Sequence, residues 1–540
     1  MVNALIFWSA ATVYMVITLA LAYLGWKRTK KGEDFLLAGR NVNPFIIGLS
    51  YGSTFISTSA IVGFGGVAAM WGMGIIWLVM LNIGVGILIA FIVYGPRVRR
   101  MGHKLNAVTF PDLMGKIYDS RLLRSATAVL IIVGMPLYAA AVIIGGSRFL
   151  ETTLEVDFTY AVIGFTALTA MYVIFGGLLA VMYTDAFQGA LMIVGMSAIM
   201  IITFWLLGGV TDATVALSNL ATDPGIPSNY PMGSQGFTGW TSFPTFDSPL
   251  WYVMVTQIIM GVGIGVLAQP QLIVRYMTAK DAKSLNRAIP IGGLFIFLTT
   301  GVAYTVGALS NVYFFREENQ LAIQLAGNRD AIMPLYINSA MPDFVIVIFL
   351  LTLLAAAMST LSSLFHTMGS AAGTDLWRQV KYSMAKRKGG LKELDEAPSL
   401  KVNRIATFLI IIITLILALQ LPGDIVAIAT AMFMGLCAAA FLPMLTYGLF
   451  FKRPSKIAAI TSLIVGAIVW FFWAAFIYTK DSVVFELCQT LFDKDSLLGA
   501  PWMNVDPLVI AVPASVLALV IGWMIDHVRS ENDSVEPQDA

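Results

Sequence analysis

The chain has 540 residues, of which 58% are hydrophobic and only 12% charged, with a formal net charge of +2. Soluble domains carry about 25% charged residues, so the composition excludes a water-soluble globule and points to the lipid bilayer as solvent. Two cysteines (Cys437, Cys488) exclude a disulfide scaffold or a CxxC site, three scattered histidines exclude a His-based metal cluster, and no nucleic-acid motif is present.

The first segment, Ala4 to Trp26, is apolar and is followed by Lys27, Arg28, Lys30 and Lys31. A secretory signal has its charge before the apolar run and a small-residue cleavage site after it. The order here is reversed, so a retained first span is expected. A spanning helix needs about 20 apolar residues. Thirteen segments qualify, at roughly 4–26, 44–70, 75–95, 123–149, 158–175, 187–207, 250–274, 288–310, 335–374, 405–421, 424–450, 457–478 and 507–526. The ninth is longer than one crossing needs and is expected to begin as a surface helix. No appended soluble domain is expected.

Positive residues orient these spans. They follow the first span (with Arg40), the third (Arg97, Arg99, Arg100, Lys104), the seventh (Arg275, Lys280, Lys283, Arg287), the ninth (from Arg378 to Arg404, Lys388 and Lys392 included) and the eleventh (Lys452, Arg453, Lys456). All fall on one side in a thirteen-span count. The opposite side includes 208–249, which has no Lys or Arg. The expectation is a multi-pass protein of the plasma membrane, N-terminus outside and C-terminus cytoplasmic.

Three spans carry unusual chemistry. The second contains "GSTFISTSAIVGFGG", Gly52 to Gly66, and the seventh contains "IIMGVGIGVLAQPQ", with Gly261, Gly263, Gly265 and Pro270. Such density of small residues reads either as an interrupted helix, since Gly and Ser are poor helix formers, or as close packing between helices. The two segments are five spans apart, so they cross in opposite directions. Paired Gly/Pro-interrupted spans in two inverted halves point to a transport site. The ninth span contains "LLAAAMSTLSSLFHTMG", with Ser359, Thr360, Ser362 and Ser363. These hydroxyls either bond back to carbonyls one turn earlier or, for two of them, hold a dehydrated cation.

Several stretches in order along the chain resemble the sodium/solute symporter family, which includes the bacterial sodium/proline symporters. They are "DFLLAGRNVNPF", "GGLLAVMYTDAFQGALM" at 176–192, "AQPQLIVRYM" at 268–277, "AAAMSTLSS" at 355–363 and "YGLFFKRPSK" at 447–456. The resemblance runs from about residue 30 to residue 480. It implies an all-α membrane protein of about 13 helices with the LeuT-type five-plus-five inverted repeat. On that scheme 4–26 is a leading helix, 44–207 and 250–450 are the repeats, 457–526 holds two trailing helices and 527–540 is a cytoplasmic tail.

Sodium needs about five oxygens, preferably neutral. Ser359 and Thr360 supply hydroxyls, and the resemblance carries over the carbonyls of Ala356, Ser53 and Ile56. Residues 356, 359 and 360 share one helical face. Ser362 and Ser363 point elsewhere and read as packing hydroxyls, as His366 reads as a packed imidazole. Asp185 either favours a helix dipole at the start of the sixth span or, as the resemblance implies, lies near the ion's inner exit. Arg40 resembles a coupling Arg of the proline members and also reads as a positive-inside anchor. The chain departs from the proline members in having Phe55 where they carry an Asp, and Ser59 where they carry a Trp. The solute pocket is expected around Ser57, Thr58, Ala60, Gln257, Gly261, Gly263 and Gln269, and Arg148 reads as a structural anchor.

The expected activity is therefore sodium-coupled uptake of a small organic solute by alternating access, not enzymatic catalysis. Proline or another amino acid leads and a monocarboxylate is second. A membrane sensor, a proton-coupled carrier and a passive channel are the rival readings. The partners are the solute, sodium and the bilayer; the oligomeric state stays open.

Overall fold

In a computed structural model, residues 4–226, 235–387, 399–421 and 425–535 are described, and every regular element among them is helical. The expected basic residues Lys388 and Lys392 lie outside them. The helices are α1 (Ile6–Arg28), α2 (Pro44–Phe55), α3 (Ser59–Trp71), α4 (Met73–Lys104) and α5 (Arg121–Glu151), then α6 (158–176) and α7 (178–206). They continue as α8 (Pro249–Met277), α9 (Ala282–Glu318), α10 (Asp343–Met384), α11 (Leu400–Gln420), α12 (Val426–Phe450), α13 (Lys456–Phe476) and α14 (Pro507–Arg529).

Among the described residues, eleven helices are long and apolar enough to cross a membrane, and α2 with α3, bent by 55°, adds a twelfth span. The thirteenth arises because α6 and α7 form one run from Phe158 to Leu206 that is folded at Gly177 (φ 63°, ψ −167°). A straight helix of 49 residues would extend about 73 Å at 1.5 Å per residue, more than twice the hydrocarbon thickness of about 30 Å. Only a residue without a Cβ turns the chain cheaply at such angles, and a Cβ on Gly177 would collide with Phe35. The sixth span thus begins nine residues earlier than the expected 187. The ninth divides into a short helix, Ile332–Ala340, followed by α10, but Ile332, Met333, Tyr336 and Ile337 of that short helix are buried instead of lying at the surface.

Side-chain caps set many of the helix starts, because the first backbone N–H groups need acceptors. Asn43 accepts from Phe45 N, with Pro44 in the first turn. Ser120, Asp157, Ser248, Ser399 and Ser455 do the same for α5, α6, α8, α11 and α13. At the centre, α10 packs against α7, α5 and α2, and its residues 355–371 are buried.

Candidate functional site

The α2/α3 interruption lies at residues 56–58. Ile56 takes an extended conformation (φ −91°, ψ 102°) after α2 ends at Phe55. Ser57 then accepts from the backbone of Ser59 through its Oγ (3.2 Å) and from Ala60 N through its carbonyl (3.0 Å). Ser side chains compete with the helix ladder in this way. Thr58 Oγ1 donates to Val142 O of α5 (3.0 Å), which fixes the break to a neighbour. All three residues, with Ala60, are buried.

α10 lies across this break. Ser359 Oγ donates to Ser53 O (2.8 Å) and to Ala356 O (3.1 Å). Thr360 Oγ1 donates to Thr54 O (3.0 Å) and to Ser53 O (3.4 Å). Four of the five expected donors, Ser53, Ala356, Ser359 and Thr360, are therefore one cluster, joined by the Thr54 carbonyl. Ile56 stands at the break itself. The cluster consists of neutral oxygens with partial charge, a donor chemistry suited to reversible binding of a monovalent cation.

Beside this cluster is an ion pair. Asp185 Oδ2 accepts from Arg275 Nη2 (2.8 Å), Ser50 Oγ (2.8 Å) and Thr54 Oγ1 (3.2 Å), and Asp185 Oδ1 accepts from Ser362 Oγ (3.3 Å). Arg275 is 1% exposed and also donates to Ser363 Oγ (2.5 Å), Gln271 O (2.6 Å) and Thr54 Oγ1. Three expectations change here. Arg275 is not a loop charge but a buried guanidinium whose several donors are matched by acceptors. Ser362 and Ser363 are not packing hydroxyls; they belong to the Asp185–Arg275 network. Asp185 lies eight residues beyond Gly177, outside the first turn of α7 where a dipole effect acts. The signal for Arg275 was its place only five residues after Pro270, inside the polar motif AQPQLIVR.

α8 is interrupted at Gln269 (φ −68°, ψ 120°), directly before Pro270. The side chains of Gln271 and Gln269 bond each other at this point. A Cβ on Gly263 would strike Leu81 of α4, whereas the nearest atom to one on Gly261 is 3.5 Å away. Gln257 Nε2 donates to Asp481 Oδ1 (3.1 Å) in the short helix Thr479–Phe485. Gln257 also lines a cavity of about 270 Å³ with Trp71 of α3, Arg329 and Lys480. Ser57, Thr58 and Ala60 sit together at the break, and Gln257 stands apart from them at that cavity.

The remaining candidates hold structure. Arg40 donates to Ala107 O (3.0 Å) and Asn106 Oδ1 (3.1 Å) and pairs with Glu33 (3.6 Å), so it fastens the loop after α4. Arg148 pairs with Glu151 (2.8 Å) and lies over the Phe158 ring (4.1 Å). His366 Nε2 is 2.8 Å from Phe35 O, in a buried contact.

A bundle with a bent helix, a second interrupted helix and a neutral oxygen cluster where α10 meets the bend is a LeuT-type membrane transporter. The model of the sodium:solute symporter family matches residues 35–466, and the chain belongs to that family. It is 27% identical over 478 residues to the osmoregulated proline transporter OpuE of Bacillus subtilis (strain 168), covering 88% of this chain and 90% of the relative. It is 26% identical to the sodium/pantothenate symporter of Haemophilus influenzae, covering 84% and 87%. A solved structure of a Na+-coupled sialic acid symporter in a substrate-bound outward-open state superposes with a TM-score of 0.71 at 18% identity, covering 96% of this chain and 97% of that one. That likeness bears on the fold. The protein is thus a sodium-coupled solute symporter of the membrane.

Proposed function

We propose that the chain imports a small carboxylate-bearing solute together with sodium across the plasma membrane, N-terminus outside and C-terminus cytoplasmic. Proline or another amino acid is the first class, as the name of the OpuE relative suggests. A net-anionic carboxylate is the second, favoured by Phe55 in place of an Asp and by the near-equal similarity to a pantothenate symporter.

The observation that carries the reading is the convergence of the Ser359 and Thr360 hydroxyls on the Ser53 and Thr54 carbonyls. Sodium would be held there by Ser53, Ala356, Ser359 and Thr360, with Ile56 and Thr54 contributing from the break. Binding would fasten α2 to α10 while the pocket at Ser57 and Ala60, extended by Gly261, closes over solute. Gln257 would face the approaching solute. Thr58 and Gly263 would act as supports, since one is bonded to α5 and the other faces Leu81. The ion would leave past Asp185, with residues 44–207 and 250–450 rocking as the two repeats and Arg40 steadying the loop beside α2.

The energetics suffice. One charge moved through 100 mV yields about 2.3 kcal/mol and a tenfold sodium gradient about 1.4 kcal/mol. Together these support accumulation of a neutral solute by several hundredfold, since each 1.4 kcal/mol is a factor of about ten.

The test is Ser359→Ala with Thr360→Ala in proteoliposomes. Each lost oxygen removes roughly 1–2 kcal/mol of interaction, so the sodium concentration for half-maximal uptake should rise by more than tenfold with normal membrane insertion. Unchanged sodium dependence would refute the site.

A further inference from the structure

The C-terminal halves of α4 and α12 face α14 across an apolar groove of about 490 Å³. One wall is a helical stripe: Val512, Val516, Val520 and Trp523 recur on one face of α14. The opposite wall is α12, where the short side chains of Pro443 and Thr446 leave room. Contacts with α13 draw α14 the other way. Thr461 Oγ1 donates to Ala518 O (2.8 Å), the Ser462 and Ser515 hydroxyls meet at 2.9 Å, and a Cβ on Gly522 would run into Ala458. The valine face of α14 is left open, with Val516 and Val520 exposed.

The groove has the depth of one leaflet. Val512 and Trp523 are eleven residues apart, about 16 Å at 1.5 Å per residue, and half of the hydrocarbon thickness is about 15 Å. Its mouth is a collar of aromatic rings with bases on it. The Tyr94 and Thr446 hydroxyls meet at 2.7 Å, and the Phe450 ring stands edge-on to Tyr94 (5.7 Å). Arg97 lies over the Phe450 ring, 4.2 Å from its centroid. Phe451 lines the groove and is followed directly by Lys452 and Arg453. Arg97, Lys452 and Arg453 are exposed, and none is ion-paired with a described residue. Asp526, one turn beyond Trp523, is a single acid against these three bases.

We infer that this groove is a binding site for an anionic phospholipid of the leaflet on this side. One acyl chain lies along the valine stripe of α14, and the phosphate is held by Arg97, Lys452 and Arg453. Rings and bases at this depth match the border between acyl chains and head groups. Each base near an anionic bilayer surface is worth roughly fivefold in affinity. A second copy of this chain is the rival occupant, and charge argues against it. Two copies in one membrane share their orientation, so an isologous contact would set the three bases of one against the three bases of the other. A lipid phosphate meets the same bases with the opposite sign.

The test uses the full-length protein in phosphatidylcholine vesicles. Phosphatidylglycerol or phosphatidylcholine with brominated acyl chains is added in rising mole fraction, and bromine quenches a tryptophan that it touches. The signal is the quenching in the parent minus that in Trp523→Phe, which cancels the other tryptophans. At Trp523 the phosphatidylglycerol should be preferred about tenfold. Arg97→Gln with Lys452→Gln and Arg453→Gln should bring the preference below about twofold. Arg97→Lys, which keeps the charge, should retain most of it. A parent preference below about twofold, one that the triple variant leaves intact, or one lost in Arg97→Lys overturns the proposal. Absence of Trp523 quenching by either lipid overturns it in favour of a protein cover, such as a second copy.

Discussion

The two interrupted helices break by different means. α2 and α3 part at Ile56–Thr58, where neither glycine nor proline stands, and they bend by 55°. There the serine and threonine hydroxyls take over the backbone partners. α8 is interrupted at Gln269, where the ring of Pro270 forces the preceding residue into extended conformation; it is not among the pairs bent by more than 40°. The glycine clusters in both segments do something else. A Cβ on Gly265 would run into the Met434 carbonyl, and one on Gly307 into the Gly65 carbonyl. Glycine density marks where helices touch, and hydroxyls and proline mark where they stop.

The largest effect is expected at the network that ties the two interruptions together. Arg275 of α8 reaches Ser50 and Thr54 of α2 as well as Asp185. Arg275→Gln strands a buried carboxylate at a cost of about 3–5 kcal/mol, so melting in detergent should drop sharply. Arg275→Gln with Asp185→Asn should recover most of the loss. A single variant as stable as the parent would mean that the pair does not join the helices.

A smaller effect separates contact from hinge. Gly265→Ala should destabilise by about 1–3 kcal/mol through overpacking, whereas Gly261→Ala should stay within about 0.5 kcal/mol because its nearest neighbour is 3.5 Å away. Equal losses, measured by thermal unfolding, would return the glycines to the role of hinges.

The smallest effect is on the head of α8, which Asp481 and Asp506 hold through Gln257 and Thr256. Asp506 is pushed up to about 7 by burial, and Asp481 upward by burial and by Asp506. An acid with a folded pKa above its unfolded value adds stability below about pH 4 and loses it as pH rises through the folded value. The melting temperature should therefore fall between about pH 4 and 7, and Asp506→Asn should flatten that slope.

Span number and membrane class were legible because apolar length is a local property. That Ser359 and Thr360 share a face with Ala356 was legible from their spacing, and their meeting with Ser53 from the family resemblance. The start of α7 was misplaced because Asp185 interrupts the apolar run, and its counter-charge comes 90 residues later in the chain. Arg275 read as a loop base for the same reason. Ser362 and Ser363 read as packing because nothing near them in sequence announces Asp185. The cavity that Arg329 and Lys480 both line was out of reach, since it is assembled from segments far apart in the chain.

One backbone contact bears on the proposed rocking of the two repeats. Val42 N donates to Thr278 O (3.3 Å), and Val42 and Ala279 form an isolated parallel bridge. This clamps the chain just before α2 to the chain just after α8. Were α2 to swing from this clamp, about 20 Å from Ile56 counted at 1.5 Å per residue, a tilt of about 10° would displace the oxygen cluster by roughly 3–4 Å. That stroke would be longer than a metal–oxygen bond, so a modest swing would be enough to make or dismantle the proposed sodium site.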